Sequence, residues 1–181
     1  MDEGKLESLI SQCLQGDRKA QYALYQAYAP QMLGVCLRYA RERHVADDVL
    51  QEGFVRMFHA LPTYKFAGSF GGWLRKIMVH TAIRFLQSHR PLVSDLELNE
   101  VHIAVANEVE PQLSTQELLA MIHRLPEGYR MVFNLHVLEG YDHQEIAEML
   151  GIQEATSRSQ LFKARQMLKS FIAQSQKTVE A

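Results

Sequence analysis

The sequence predicts an all-α protein: two small helical domains joined by an acidic linker, the second containing a helix-turn-helix. Three observations predict it. Apolar residues recur at helical spacing, and no alternating strand pattern interrupts them over residues 1–90. Residues 91–112 are bounded by prolines, have weak periodicity, and are more numerous than connections inside a compact domain usually are. Near the C-terminus a short capped helix, a glycine turn and a longer basic helix follow one another between Gly140 and Lys169.

Taken in order, Leu6, Leu9, Ile10, Cys13 and Leu14 form the apolar stripe of a first helix, which stops at Gly16. Asp17 suits the cap of a second, through Ala20, Leu24, Tyr25 and Tyr28. Pro30 suits the start of a third, because its missing N–H costs nothing in a first turn. A fourth begins after His44 and places Leu50, Phe54, Met57, Phe58 and Leu61 on one stripe. Asp48, Gln51 and Glu52 share another face of it, at i, i+3 and i+4. Pro62 closes that helix. Thr63 to Gly72 then reads as a glycine- and aromatic-rich loop, and a basic helix runs from Trp73 to Arg90.

After the linker, Ser114 and Glu117 have the spacing of a capping box, and a helix follows to Arg124. Leu125 to Gly128 breaks the chain before a helix from Tyr129 to Glu139. Asp142 and Glu145 repeat the capping box. Ile146, Ala147 and Leu150 supply that helix's apolar face, and Gly151 ends it in a left-handed conformation. The last helix buries Leu161, Ala164, Leu168, Phe171 and Ile172. Its other side carries Thr156, Ser159, Lys163 and Gln166, flanked by Arg158, Gln160 and Phe162. Arg158 to Lys169 contains four cations and no carboxylate, which suits a helix entering the major groove. A plain helical hairpin with a solvated basic face fits this pattern too.

Composition narrows the function. The chain is 47% hydrophobic and 22% charged, as expected of a globular protein with a core. It has no apolar run long enough for a membrane span, and its start lacks the layout of a secretion signal. Cys13 and Cys36 both lie in apolar helical patterns and read as reduced core thiols. The net charge is only −2, but the cations are gathered locally. Residues 75–90 hold Arg75, Lys76, Arg84 and Arg90 and no acid, whereas 91–123 hold six carboxylates and no Lys or Arg. Local charge decides where a polyanion binds.

The chemistry-bearing residues point the same way. Tyr64, Phe66, Phe70 and Trp73 stand among glycines ahead of an acid-free basic helix. Such rings offer stacking platforms and the cations follow phosphates, as single-stranded nucleic acid requires. An extruded base needs such a pocket, and A·T-rich steps release one at least cost. The same rings are equally suited to a core beneath a loop, and Trp73 begins its helix on the apolar side. Asp48, Gln51 and Glu52 fit either a solvated face or a docking patch. His44 and Asp47 lie near them, but no second cluster completes a coordination shell, so neither metal nor cofactor is expected. No P-loop, GxSxG, HExxH or CxxC is present, and nothing supports catalysis or a small-molecule substrate.

Two sets of residues carry a family resemblance. His44 to Phe58 (HVADDVLQEGFVRMF) and Phe70 to Ile77 (FGGWLRKI) resemble the first domain of an extracytoplasmic-function sigma factor of bacterial RNA polymerase. Leu125 to Phe133, Gly140 to Ala147 and Ser157 to Leu168 resemble its second. The match spans nearly the whole chain, in order. It implies a transcription initiation factor with a polymerase-docking and −10-recognising domain over 1–90, a linker over 91–112, and a −35-recognising domain over 113–181.

The resemblance also implies residue roles. Asp48, Gln51, Glu52 and Val55 would dock on the clamp helices of the polymerase's largest subunit. Lys65, Phe66, Ser69, Phe70, Trp73, Lys76, His80 and Arg84 would recognise and melt the −10 element. Glu154, Thr156, Arg158, Ser159, Gln160 and Lys163 would read the −35 element. The linker would thread the polymerase near its active site and RNA exit path, where its carboxylates suit nucleic-acid mimicry. The implied partners are core RNA polymerase, promoter DNA and an anti-sigma factor, commonly a membrane-anchored one. The implied location is the cytoplasm, at the nucleoid when active, or the inner membrane when an anti-sigma factor holds the chain there.

The chain departs from the family pattern at His80, where Asn is typical, and at Arg84-Phe85, near which an acid is usual. Gln160 and Phe162 stand where basic residues or His are common. A stand-alone helix-turn-helix regulator is the competing class. The Asp48/Gln51/Glu52 face beside an aromatic–glycine loop favours the initiation factor, because a repressor needs neither.

Overall fold

A computed structural model describes residues 2–88 and 114–179. The chain divides into two compact units, Met1–Arg90 and Pro91–Ala181. Among the described residues there is no strand, and no helix is long and apolar enough to cross a membrane. The linker expected over 91–112 lies outside the described residues.

The N-terminal unit holds four helices: α1 (Glu3–Leu14), α2 (Arg18–Tyr39), α3 (Arg43–Ala60) and α4 (Phe70–Ser88), with a 3-10 turn over Leu61–Thr63. Asp17 caps α2 as expected, its carboxylate accepting from the amides of Lys19 at 2.7 Å and Ala20 at 3.3 Å. Pro30, however, starts no helix. It lies inside α2, so the second and third helices anticipated from the sequence are one helix of 22 residues. Proline removes the amide that would bond the Gln26 carbonyl, but Gln26 and Pro30 both face solvent, where water can satisfy it. The opposite side of α2 buries Leu24, Met32, Val35 and Cys36, and that burial carries the helix through.

Helices α2, α3 and α4 pack around one core, with Tyr39, Met57, Leu74 and Met78 fully enclosed. Where α3 meets α4, Gly53 leaves room for the Met78 side chain: a Cβ at Gly53 would lie 2.2 Å from Met78 Sδ. Cys13 and Cys36 are free thiols inside this unit. Burial pushes the Cys13 thiol up, and the Cys36 thiol up to about 12.

The C-terminal unit contains α5 (Thr115–Arg124), α6 (Glu127–Phe133), α7 (His143–Leu150) and α8 (Glu154–Val179). Both predicted capping boxes are present, Ser114 with Glu117 and Asp142 with Glu145. The break expected over Leu125–Gly128 is shorter, because Pro126 caps a helix that already includes Gly128. The helix expected to run to Glu139 relaxes at Asn134 into a π-helical turn over Asn134–Leu138, in which the Glu139 amide reaches back to the Asn134 carbonyl at 3.0 Å. Leu125, Tyr129 and Ala164 form a core against which Phe133, Met167, Leu168 and Phe171 pack. The Arg124 guanidinium lies over the Phe171 ring, 3.9 Å from its centre.

Candidate nucleic-acid and partner interfaces

Helix α3 separates its residues by chemistry. Val49, Leu50, Gly53, Phe54 and Met57 face the core. Asp48, Gln51 and Val55 face outward, and Val55 remains 55% exposed despite being apolar. Glu52 sits beside them and is engaged: its Oε1 accepts from Arg56 Nε at 2.9 Å and Nη2 at 2.6 Å. The outer side of α3 therefore offers acceptors around one aliphatic contact, a composition suited to a cationic helical partner.

Between α3 and α4 lies an open groove of about 380 Å³, lined by Arg56, Ala60, Trp73, Lys76, Ile77, His80, Thr81 and Arg84. Spacing explains why one helix supplies most of it. Trp73, Lys76, His80 and Arg84 stand at i, i+3, i+7 and i+11 and project along one side of α4. Trp73 is half-buried, and Lys76, His80 and Arg84 are exposed. Partial burial, then the charges of Arg84 and Lys76, hold the His80 imidazole below its ordinary value. At neutral pH it thus enters the groove as an uncharged hydrogen-bonding group between two cations.

The loop residues predicted with them divide differently. Lys65 and Phe66 are exposed and are not among the groove-lining residues. Phe66 adopts φ 54°, a conformation uncommon for a residue with a side chain, and leaves its ring 49% exposed. Ser69 works as a helix cap: its hydroxyl accepts the Gly72 amide at 3.2 Å and its carbonyl the Trp73 amide at 3.1 Å. Helix α4 consequently starts at Phe70, three residues before the anticipated Trp73.

Phe70 corrects the sequence-based expectation. It is only 2% exposed, with its ring centre 5.0 Å from Tyr28, 5.3 Å from Tyr64 and 5.5 Å from Trp73. In this structure it offers no open ring face, and it packs in the aromatic cluster beside Trp73. Sequence reasoning missed Arg56 as a groove residue. Its i, i+4 spacing from Glu52 was the available signal, but that spacing says nothing of a guanidinium also facing α4.

In the C-terminal unit the turn between α7 and α8 is fixed by backbone chemistry. Gly151 has φ 67°, and the amides of Gly151 and Ile152 both reach the Ala147 carbonyl. Ser157, fully buried in the first turns of α8, meets His143 Nδ1 at 2.9 Å. His143 stacks on His136, with ring centres 4.5 Å apart. The His136 Nδ1 lies 2.9 Å from the Tyr141 carbonyl and so must donate to it.

Of the six residues predicted to read duplex DNA, Glu154, Arg158, Ser159 and Lys163 are exposed on α8 and Thr156 is partly so. Arg158 is ion-paired with Glu154 across one turn, and the Ser159 hydroxyl donates to the Thr156 carbonyl at 2.9 Å. Gln160 is the exception. A Cβ on Gly128 would lie 3.1 Å from its Nε2, and its Oε1 is buried without a hydrogen-bond partner. Its amide is turned onto α6, where the missing side chain of Gly128 leaves room, and not outward to bases. Phe162 is 64% exposed on the same helix. Among the described residues, no three His, Cys, Asp or Glu side chains are grouped to hold a metal.

Two helical units, one with a cationic aromatic groove and one with a helix-turn-helix, have the architecture of a two-site DNA-binding protein. Comparison with known proteins is specific. Residues 24–91 match Sigma-70 region 2 and residues 115–168 match Sigma-70, region 4. The ECF RNA polymerase sigma-E factor of Haemophilus influenzae is 31% identical over 179 residues, covering 92% of this chain and 94% of that protein. The sigma-E factor of Escherichia coli K12 is 30% identical over 173 residues, covering 88% and 90%. A solved structure of the sigma factor RpoE in complex with the anti-sigma factor NepR, from Bartonella quintana, shares the fold with a TM-score of 0.50 at 14% identity. It covers 84% of this chain and 96% of that one. The chain belongs to the sigma-70 family, in its extracytoplasmic-function group, and is a transcription initiation factor that directs RNA polymerase to promoters.

Proposed function

We propose that the N-terminal unit docks on core RNA polymerase through Asp48, Gln51, Glu52 and Val55 of α3 and receives the melted −10 element in the groove between α3 and α4. Trp73 gives a flipped base a ring to stack on. Lys76, Arg84 and Arg56 meet phosphates, and neutral His80 supplies a hydrogen bond. Phe66, held exposed on its loop, provides a second ring. The C-terminal unit reads the −35 element with Arg158, Ser159 and Lys163 on α8, with Thr156 and Glu154 at its edge. The observation that carries this reading is the groove, where one aromatic ring, one imidazole and three cations converge.

Sigma factors are initiation factors rather than catalysts, and we assign this chain no catalytic residue, cofactor or small-molecule substrate. Its work belongs in the cytoplasm, with polymerase and DNA. An anti-sigma factor is the partner class that would keep these surfaces from polymerase and promoter until a signal releases them, and a membrane-anchored one would hold the chain at the inner membrane.

The test is co-elution with purified core polymerase on a size-exclusion column. Asp48→Lys combined with Val55→Glu should abolish co-elution while leaving duplex binding by α8 intact. Wild-type elution apart from core, or undiminished co-elution of the variant, would overturn the docking assignment. For the groove, Lys76→Ala with Arg84→Ala should leave co-elution unchanged and abolish promoter opening read by permanganate reactivity. Normal opening would reject the groove.

A further inference from the structure

The two surfaces of the N-terminal unit share one ion pair. Glu52 belongs to the docking face of α3, and Arg56, one turn on, lines the DNA groove. A single carboxylate oxygen, Oε1, takes both Nε and Nη2 of the guanidinium, at 2.9 and 2.6 Å. The pair is half-exposed, with side-chain accessibilities of 41% for Arg56 and 40% for Glu52. Pairs this exposed are held weakly and exchange partners readily.

We propose that the Glu52–Arg56 pair couples polymerase docking to DNA binding: in the free chain Glu52 cancels the charge of a groove cation, and a cationic docking partner that takes Glu52 leaves Arg56 to a DNA phosphate. The inference rests on the assignment of the two surfaces made above. A lysine or arginine of the partner reaches the half-exposed Glu52 carboxylate and competes with Arg56 for it. Arg56 then keeps its place in the groove and regains its full charge. Coupling of this kind is reciprocal, so DNA held by Arg56 frees Glu52 and strengthens docking by the same factor. Glu52 is thus a positioning residue for DNA binding, acting through Arg56.

A phosphate contact is sequence-independent, so the test needs no known promoter. The full chain, without polymerase, is titrated by fluorescence anisotropy against a labelled A/T-rich single strand about 12 nucleotides long. Glu52→Gln keeps the shape and removes the charge. It should tighten binding about threefold, in proportion to so exposed a pair, and steepen the salt dependence by about 0.7 for the added contact. Made in an Arg56→Ala background, where it gives the double variant, Glu52→Gln should bring no gain over Arg56→Ala alone. Unchanged affinity in Glu52→Gln, or a gain that survives in the double variant, would overturn the coupling. Lys76→Ala/Arg84→Ala, measured in parallel, separates this from the groove assignment. If that variant binds weakly while Glu52→Gln binds as wild type, only the coupling fails; if it binds normally, the groove itself fails.

Discussion

His143 and Ser157 meet across the turn of the helix-turn-helix, imidazole Nδ1 to hydroxyl oxygen at 2.9 Å. One is the first residue of α7 and the other a fully buried residue near the start of α8. This bond therefore ties the start of α8 to the start of α7. It also places a titratable group between the buried Ser157 and the stacked ring of His136.

The first prediction concerns pH. Burial, the stacked His136 and then Arg158 hold the His143 imidazole below its ordinary 6.5, with Glu154 partly opposing them. A base whose folded value is depressed takes up its proton first in the unfolded chain. The stabilisation is thus complete above about pH 6.5 and is lost as pH falls through the lower folded value. Protection factors in α7 and the first turns of α8, with the intrinsic pH dependence of amide exchange divided out, should be lower at about pH 5.5 than at pH 7. His143→Gln should flatten that difference; an unchanged pH dependence would show that the stacked pair does not set it.

Two helical glycines should respond to alanine with opposite signs. At Gly53 a new Cβ would meet the sulfur of Met78, itself fully buried. Alanine improves helix propensity by about 1 kcal/mol, while overpacking costs about 1–3 kcal/mol. So close an approach points to the upper end, and Gly53→Ala should lose about 1–2 kcal/mol in thermal melts. At Gly34, exposed within α2, nothing lies within 4 Å of a new Cβ. Gly34→Ala should gain about 0.5–1 kcal/mol.

Capping offers a third prediction. Asp142 accepts the Glu145 amide at 2.8 Å, and Glu145 returns a bond to the Asp142 amide at 2.9 Å. Asp142→Ala should cost about 1 kcal/mol, seen as lower denaturant resistance of the C-terminal unit. Because α7 has only eight residues, its exchange protection should fall before that of α8.

The last prediction separates two neighbours on α8. Lys163→Ala should weaken binding to any duplex and lower the salt slope by about 0.9, as for one lost phosphate contact. Gln160→Ala should leave that slope unchanged, because its amide lies against Gly128. A slope change at Gln160 would mean that the side chain turns outward on DNA.

What was legible in the sequence is mostly chemistry that closes within one turn. The caps at Asp17, Ser114 and Asp142 each need only residues two or three positions away, and local spacing is what a sequence displays directly. Pro30 misled for the converse reason: its local signal is a helix start, and only the packed far side of α2 overrides it. Phe70 and Gln160 were misplaced through distant partners. Tyr28 belongs to another helix, and the space that receives the Gln160 amide exists because residue 128, thirty-two positions earlier, is glycine. Arg56 shows both sides at once, since its pairing with Glu52 is local while its place in the groove depends on α4.

The buried thiols of α1 and α2 bear on how this factor receives a signal. With its thiol pushed up to about 12 by burial, Cys36 stays protonated at neutral pH. Cys13 is shifted in the same direction, and these are the chain's two cysteines. An oxidant therefore meets two buried, protonated thiols and no ready thiolate. A peroxide or an electrophile would have to wait for α1 or α2 to open before either sulfur could react.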